Sequence, residues 1–230
     1  ARTADHIVTV SEYSRRDIIE HLGVDEHRVT NTYQAVDIPA GVLARSDDEV
    51  AGDLATLFGL EPGGYFLFCG AIEPKKNVSR MVDAYAASGS RLPLILAGGG
   101  GWQNRADLRK IRDERFASFR IDGNTMRRER QVRRLEYLPR DQLFTLMRGA
   151  RALLFPSIYE GFGLPVLEAM ALGTPVVTSN VSSLPEVAGD AALLVDPYAI
   201  DDISRAIRTI EADADLRGEL ATRGRQQAQK

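Results

Sequence analysis

The sequence has a single cysteine, Cys69, among 230 residues. One thiol cannot close an internal disulfide, and with no Cys-x2-Cys pair or Cys/His cluster around it structural zinc is excluded too. The expectation is therefore a reducing, cytosolic compartment. Long hydrophobic runs are lacking as well: no apolar stretch approaches the ~18 residues of a membrane span. The opening Ala1-Arg2-Thr3-Ala4-Asp5 has neither the charged head nor the apolar run of a signal peptide. Positive charge is not in excess: Lys+Arg 29 against Asp+Glu 32 leaves a net charge of -3, so no global basic field would hold nucleic acid or an anionic membrane. The three histidines, His6, His21 and His27, have no metal-ligand spacing. A Gly-x4-Gly-Lys-Ser/Thr loop and a Gly-x-Ser-x-Gly elbow are both absent, and Gly98-Gly99-Gly100-Gly101-Trp102-Gln103 lacks the third glycine of a dinucleotide fingerprint.

What is present is a composition 44% hydrophobic and 27% charged, that of a globular chain able to build a full core. The length allows one large domain, or one domain and part of another. Short apolar runs alternate with segments of helical period, the signature of βα units and a parallel α/β sheet. Strands are expected at residues 7–10, 29–33, 65–69, 92–97, 132–138, 152–155, 175–178 and 192–195. Ser46 with Glu49 three residues on is a capping box for a helix ending near Phe58-Gly59. Ser14 with Asp17 is a looser start for a helix closed by Gly23. Val78, Val82 and Tyr85 form one apolar stripe, and Ile203, Ile207 and Ile210 another. Pro39 and Gly41 mark a boundary, so residues 1–37 read as the end of a different unit and 38–230 as the main domain. A strand-like run almost at the start, with no initiator Met, suggests a chain cut upstream. Residues 127–134 hold five arginines in eight positions, more often a solvated insert or helix face than an anion patch. Asp213-Ala214-Asp215 has the spacing of a manganese pair but lies in an Ala/Arg/Glu-rich helical tail.

The strongest signal for chemistry is Pro156-Ser157-Ile158-Tyr159-Glu160-Gly161-Phe162-Gly163-Leu164-Pro165-Val166-Leu167-Glu168, ending in Gly173-Thr174-Pro175 before the next strand. A glycine-bearing loop after a buried strand, followed by a helix, is a ligand-binding layout at the carboxyl end of a parallel sheet. A helix opening at Gly163-Leu164 offers unpaired amides and a positive dipole end to an anion. Glu160 and Glu168 would repel that anion unless they hydrogen-bond hydroxyls on it, which sugars and riboses supply.

These blocks together resemble the retaining glycosyltransferases of the GT-B fold with the Glu-x7-Glu motif, family 4. Val8-Thr9-Val10-Ser11-Glu12-Tyr13-Ser14-Arg15-Arg16-Asp17 is similar to the segment closing that family's N-terminal domain, and Tyr33-Gln34-Ala35-Val36-Asp37 to its Tyr-x-Gly-Val-Asp linker. Phe68-Cys69-Gly70-Ala71-Ile72-Glu73-Pro74-Lys75-Lys76-Asn77 is similar to its strand-turn ending in Lys-Asn or Lys-Gly, and Ser183-Leu184-Pro185-Glu186-Val187-Ala188-Gly189-Asp190-Ala191 to a later block. The resemblance implies a Rossmann-like, doubly wound parallel sheet, the C-terminal nucleotide-sugar-binding half of a GT-B fold. It implies metal-free transfer of a sugar, with retention, from a nucleoside diphosphate sugar to a saccharide or lipid-linked acceptor, with no nucleic acid involved. Membrane contact would come only through the N-terminal half, at a cytosolic, peripheral location. It assigns Lys76 to the diphosphate, Glu160 to the donor sugar and Glu168 to the ribose, with Gly70, Ala71, Phe162, Gly163 and Leu164 lining the site. Ala71 stands where arginine is common, Ala35 where glycine is common, and residues 119–134 match no block. A nucleotide-sugar epimerase of the same fold, or a noncatalytic nucleotide-sugar module, are the alternatives.

Overall fold

The computed structural model describes residues 3–122 and 125–230, and side chains outside 118–129. β1 (Ile7–Thr9) and β2 (Val29–Asn31) pair in parallel around α1 (Glu12–Leu22), a small βαβ unit ahead of the 37/38 boundary. α2 (Ala40–Leu43) and α3 (Asp47–Asp53) follow. The chain then alternates through β3 (Phe66–Cys69), α4 (Val78–Ser88), β4 (Leu94–Ala97), α5 (Arg105–Ile111), β5 (Ala117–Asp122), β6 (Thr125–Arg130), β7 (Val132–Leu135) and α6 (Arg140–Gly149). It ends with β8 (Ala152–Phe155), α7 (Leu164–Ala171), β9 (Val176–Ser179), α8 (Leu184–Ala188), β10 (Leu193–Val195), α9 (Ile200–Ala212) and α10 (Ala214–Gln227).

Six strands form one parallel sheet in the order β10-β9-β8-β3-β4-β7. Every residue of β3, β4, β8 and β9 is buried, which is why these strands read as unbroken apolar runs rather than alternating ones. From β3 the chain winds outward to β4 and β7, and from β8 it winds the other way to β9 and β10. Right-handed crossovers in opposite directions put α4 and α7 on opposite faces. Between β3 and β8 the order reverses, and their carboxyl ends open a crevice. The stripe Val78, Val82 and Tyr85 of α4 is buried, as are Ile203, Ile207 and Ile210 of α9, each isoleucine contributing roughly 1.5–3 kcal/mol. α10 crosses α7 closely: a Cβ on Gly224 would meet Met170 at 3.2 Å.

The capping box forms as expected, with the Ser46 hydroxyl accepting from the Glu49 amide and the Glu49 carboxylate accepting from the Ser46 amide. That helix runs through one wider turn to Gly59 at φ +62°. Three expectations need correction. α1 is capped by Ser11, not Ser14: Ser11 has the extended backbone a cap requires, whereas Ser14 is already inside the helix and donates its amide to the Ser11 hydroxyl. The strand expected at 132–138 stops at Leu135, since Glu136 and Tyr137 are exposed and Pro139 precedes α6. The region without a match, 119–134, holds an antiparallel hairpin of β5 and β6, in register from Ala117↔Arg130 to Asp122↔Thr125. The arginine run lies on β6 and β7, in strand rather than helix; the side chains of residues 127–129 fall outside the described ones. Asp213 caps α10 by accepting the Leu216 amide.

Candidate functional site

The first wall of the crevice is the turn after β3. Gly70 (φ +139°) and Gly98 (φ +148°) follow adjacent strands, and a Cβ on Gly98 would collide with the Gly70 carbonyl. The two turns therefore lie backbone against backbone, with the Ile72 amide donating to Gly99 O (3.1 Å) and the Gly101 amide to Ile72 O (3.0 Å). Ala71 points outward and is exposed. Asn77 sits at φ +58°, a conformation open to Asn or Gly, which gives a physical reason for the Lys-Asn or Lys-Gly pattern. Its buried amide nitrogen donates to Pro156 O (3.0 Å) and Pro197 O (2.7 Å), tying this turn to the ones after β8 and β10. Lys76, just before it, carries its ammonium 4.9 Å from the centre of the Phe155 ring.

The second wall is the turn after β8. Here Glu160 is brought to Lys76, Oε1 to Nζ 2.6 Å, with side chains only 9% and 12% exposed. The two residues given separate tasks by the sequence are thus bonded to each other. Three consecutive carbonyls hold the loop in place. Glu160 O accepts from Ser182 Oγ (2.7 Å) and Ser183 Oγ (2.9 Å), Gly161 O from Ser11 Oγ (2.7 Å) and Ser14 Oγ (3.0 Å), and Phe162 O from Ser183 Oγ (2.6 Å). None of these serines is assigned to the site by the sequence: Ser14 reads as a helix start, Ser11 and Ser183 only lie inside the quoted blocks, and Ser182 lies just ahead of the second.

Gly163, at φ +123°, turns the chain into α7, and a Cβ there would meet Leu184 at 2.9 Å. Pro165 has no N–H, and the first bond of the helix runs from the Val166 amide to Gly163 O (2.9 Å). The Leu164 amide precedes that bond, so it belongs to the positive helix end. Phe162 places its ring on the linker side, 6.4 Å from that of Tyr33, where both line a cavity of about 560 Å³ with Val36, Leu167 and Val187. What it adds to the Lys76 side is backbone.

Glu168, one turn into α7, is half-buried, and its carboxylate accepts no hydrogen bond among the described residues, only its backbone carbonyl taking the Leu172 amide. Burial raises its pKa above the usual carboxylate value, and the Arg140 guanidinium opposes that shift. The buried Cys69 thiol is pushed up to about 12, chiefly by burial; Glu168 raises it further and Lys76 lowers it. Cys69, the last residue of β3, thus feels both groups. Cation, helix terminus and two carboxylates therefore converge on one edge of the sheet, an arrangement that can hold an anion bearing hydroxyl groups. Among the described residues, no group of three or more His, Cys, Asp or Glu side chains is placed to hold a metal ion.

Known proteins share this architecture. The solved structure of Anabaena Alr3699/HepE in complex with UDP and glucose superposes with TM-score 0.82 at 20% identity, over 99% of this chain and 59% of that one. The doubly wound parallel fold is thus that of GT-B glycosyltransferase structures. The O-antigen chain mannosyltransferase B of Escherichia coli is 38% identical over 232 residues, covering 99% of this chain and 57% of its own length. The serotype-specific mannosyltransferase WbdA of Escherichia coli is 29% identical over 99% of this chain and 27% of its own length. The chain therefore spans little more than half of the first relative and about a quarter of the second. Residues 60–227, from the end of the α3 segment to the end of α10, match the family described as glycosyl transferases group 1, and the chain belongs to that family.

Proposed function

We propose that the chain is the donor-binding part of a retaining glycosyltransferase of family 4, with Glu160 and Glu168 as its Glu-x7-Glu pair. It moves a sugar from a nucleoside diphosphate sugar to a saccharide or lipid-linked acceptor on the cytosolic side. Mannose is the sugar favoured by the relatives' names. The observation that carries this reading is the meeting of Lys76 with Glu160, 84 residues apart, at the switch point beside a helix N-terminus.

As the bond between C1 of the sugar and the phosphate oxygen breaks, its electron pair stays on the departing diphosphate. Lys76 and the Leu164 amide stabilise the charge that develops there, the preorganised electrostatic contribution that dominates such catalysis. The positive charge is assigned to these groups, with no metal in the scheme. Glu160, held rigid beside Lys76, accepts from hydroxyls of the donor sugar and shares the ammonium with the diphosphate. Glu168 accepts from the ribose hydroxyls, giving its unpartnered carboxylate the donors it lacks. The acceptor oxygen bonds to C1 on the face the diphosphate leaves, passing its proton to the departing phosphate oxygen, so configuration is retained.

Calorimetry with nucleoside diphosphates tests the assignment. Glu168→Ala should weaken binding by roughly 1.5–3 kcal/mol for each charge-assisted bond removed. Unchanged affinity in a folded variant would make Glu168 a solvated helix residue and remove half of the motif.

A further inference from the structure

The loop that carries Glu160 is fixed by serine hydroxyls from two directions. Ser182 and Ser183 come from the β9–α8 connection within the same sheet domain. Ser182 is bonded twice to the Glu160 backbone, accepting from its amide (2.9 Å) and donating to its carbonyl (2.7 Å), and does so from a left-handed conformation at φ +61°. Ser11 and Ser14 come from the other side of the 37/38 boundary, at the start of α1. Ser11 is fully buried, and its hydroxyl is used twice, accepting the Ser14 amide (2.9 Å) as helix cap and donating to Gly161 O (2.7 Å). The Ser14 hydroxyl donates to the same carbonyl at 3.0 Å.

The surrounding contacts point the same way. Tyr159, just before Glu160, donates its phenol to the Asp17 carboxylate (2.7 Å) and meets Tyr13 edge-on at 5.9 Å. The Glu186 carboxylate of α8 accepts from the Glu12 and Tyr13 amides (3.2 and 3.4 Å). α1 is therefore bonded to residues on both sides of the Glu160 side chain and to the helix behind it. A carbonyl that receives two hydroxyls from a separate unit can keep its place only while that unit is seated.

We propose that Ser11 and Ser14 are positioning residues for the donor sugar: by fixing the Gly161 carbonyl they set the Glu160 carboxylate, so that seating of the β1–α1–β2 unit and capture of the sugar are one event. The inference rests on Glu160 as the sugar-holding group. Both serine hydroxyls bond the Gly161 carbonyl and neither bonds Lys76 or the Leu164 amide, the groups assigned to the diphosphate, so the two parts of the ligand should respond differently to their loss.

The test is titration of the 230-residue chain with GDP and GDP-mannose, and with UDP and UDP-glucose as a second pair, for the parent and three variants. Ser14→Ala leaves the helix cap intact, because the Ser14 amide still reaches Ser11; it should weaken nucleotide-sugar binding about fivefold, one net hydrogen bond, and leave the diphosphate within about twofold. Ser11→Ala should weaken the sugar form on the order of tenfold, whereas Ser14→Thr, which keeps the hydroxyl that Ser14→Ala removes, should bind it like the parent. A parent that prefers the nucleotide sugar, with variants that keep the preference or lose both ligands equally, overturns the positioning role alone. A parent that binds diphosphate and nucleotide sugar equally overturns the role of Glu160 and this proposal with it.

Discussion

The turn after β3 and the turn after β8 face each other across the crevice, and each must hold a charged side chain still. The first does so with steric exclusion: at Gly98 there is no room for a side chain against the Gly70 backbone, Gly70 itself holds a φ of +139°, and Asn77 locks the end of the turn with two bonds from a buried amide. The second does so with exchangeable chemistry, serine hydroxyls on three consecutive carbonyls, two of them reaching in from the start of α1. A wall built from exclusion is rigid by itself. A wall built from borrowed hydroxyls is only as rigid as the unit that lends them. The cation therefore sits on the fixed side, and the carboxylate that reads the sugar sits on the side that can respond to the rest of the molecule.

The comparison can be broken most forcefully at Gly98. Gly98→Ala puts a methyl into the Gly70 carbonyl at a φ that side chains rarely adopt, and should cost on the order of 3–5 kcal/mol. The thermal midpoint should fall by about 10 °C. A melt within about 2 °C of the parent would mean that the first wall yields as easily as the second.

A smaller effect separates the two charges. Lys76→Met should lower the affinity for a nucleoside diphosphate by on the order of 2–4 kcal/mol, since the ammonium is nearly buried, and leave the matching nucleoside almost untouched. Equal losses for both ligands would shift the diphosphate cation elsewhere, with the arginines of β7 the first place to look.

The smallest effect concerns Glu168, where binding and stability pull apart. Burial raises its pKa in the fold, so the protonated carboxyl is the form the fold prefers. Its favourable contribution is complete below the unfolded value of 4.5 and is lost as the pH rises through the folded value. Glu168→Gln should therefore melt a few degrees higher than the parent at pH 7, at about 2–4 °C per kcal/mol recovered, with the gap closing toward pH 4. A gap that widens in acid would reverse the sign and make the charged carboxylate a stabilising group.

All eight strands expected from the sequence exist; in β3, β4, β8 and β9 burial on both faces leaves unbroken apolar runs such as Phe66-Leu67-Phe68-Cys69. The β5–β6 hairpin was missed: Phe119 and Ile121 alternate with polar residues ahead of Asp122-Gly123, a hairpin signal, but the run of arginines that follows draws the reading to charge instead. The choice of Ser11 over Ser14 as cap depends on a backbone angle, which two serines three residues apart do not reveal. The glycine-bearing turns and the two glutamates were readable because steric need and charge belong to residue types. The hydroxyl bonds on residues 160–162 were not, because a serine 150 positions away in the chain becomes a partner only once the chain has folded.

The strand order also dictates when the crevice can exist. β3 pairs with β4 and β8 with β9 through single helical crossovers, α4 and α7, whereas β3 meets β8 only across the longer stretch that carries β4 through α6. Closing that loop is the slow, entropically demanding step of such a topology. A chain still emerging from the ribosome, with residues up to 150 released, can form the turn after β3 but has neither the second wall nor the Pro156 and Pro197 carbonyls that hold Asn77. In a refolding experiment, helical signal should rise before nucleotide affinity does, and the interval between them measures the pairing of β3 with β8.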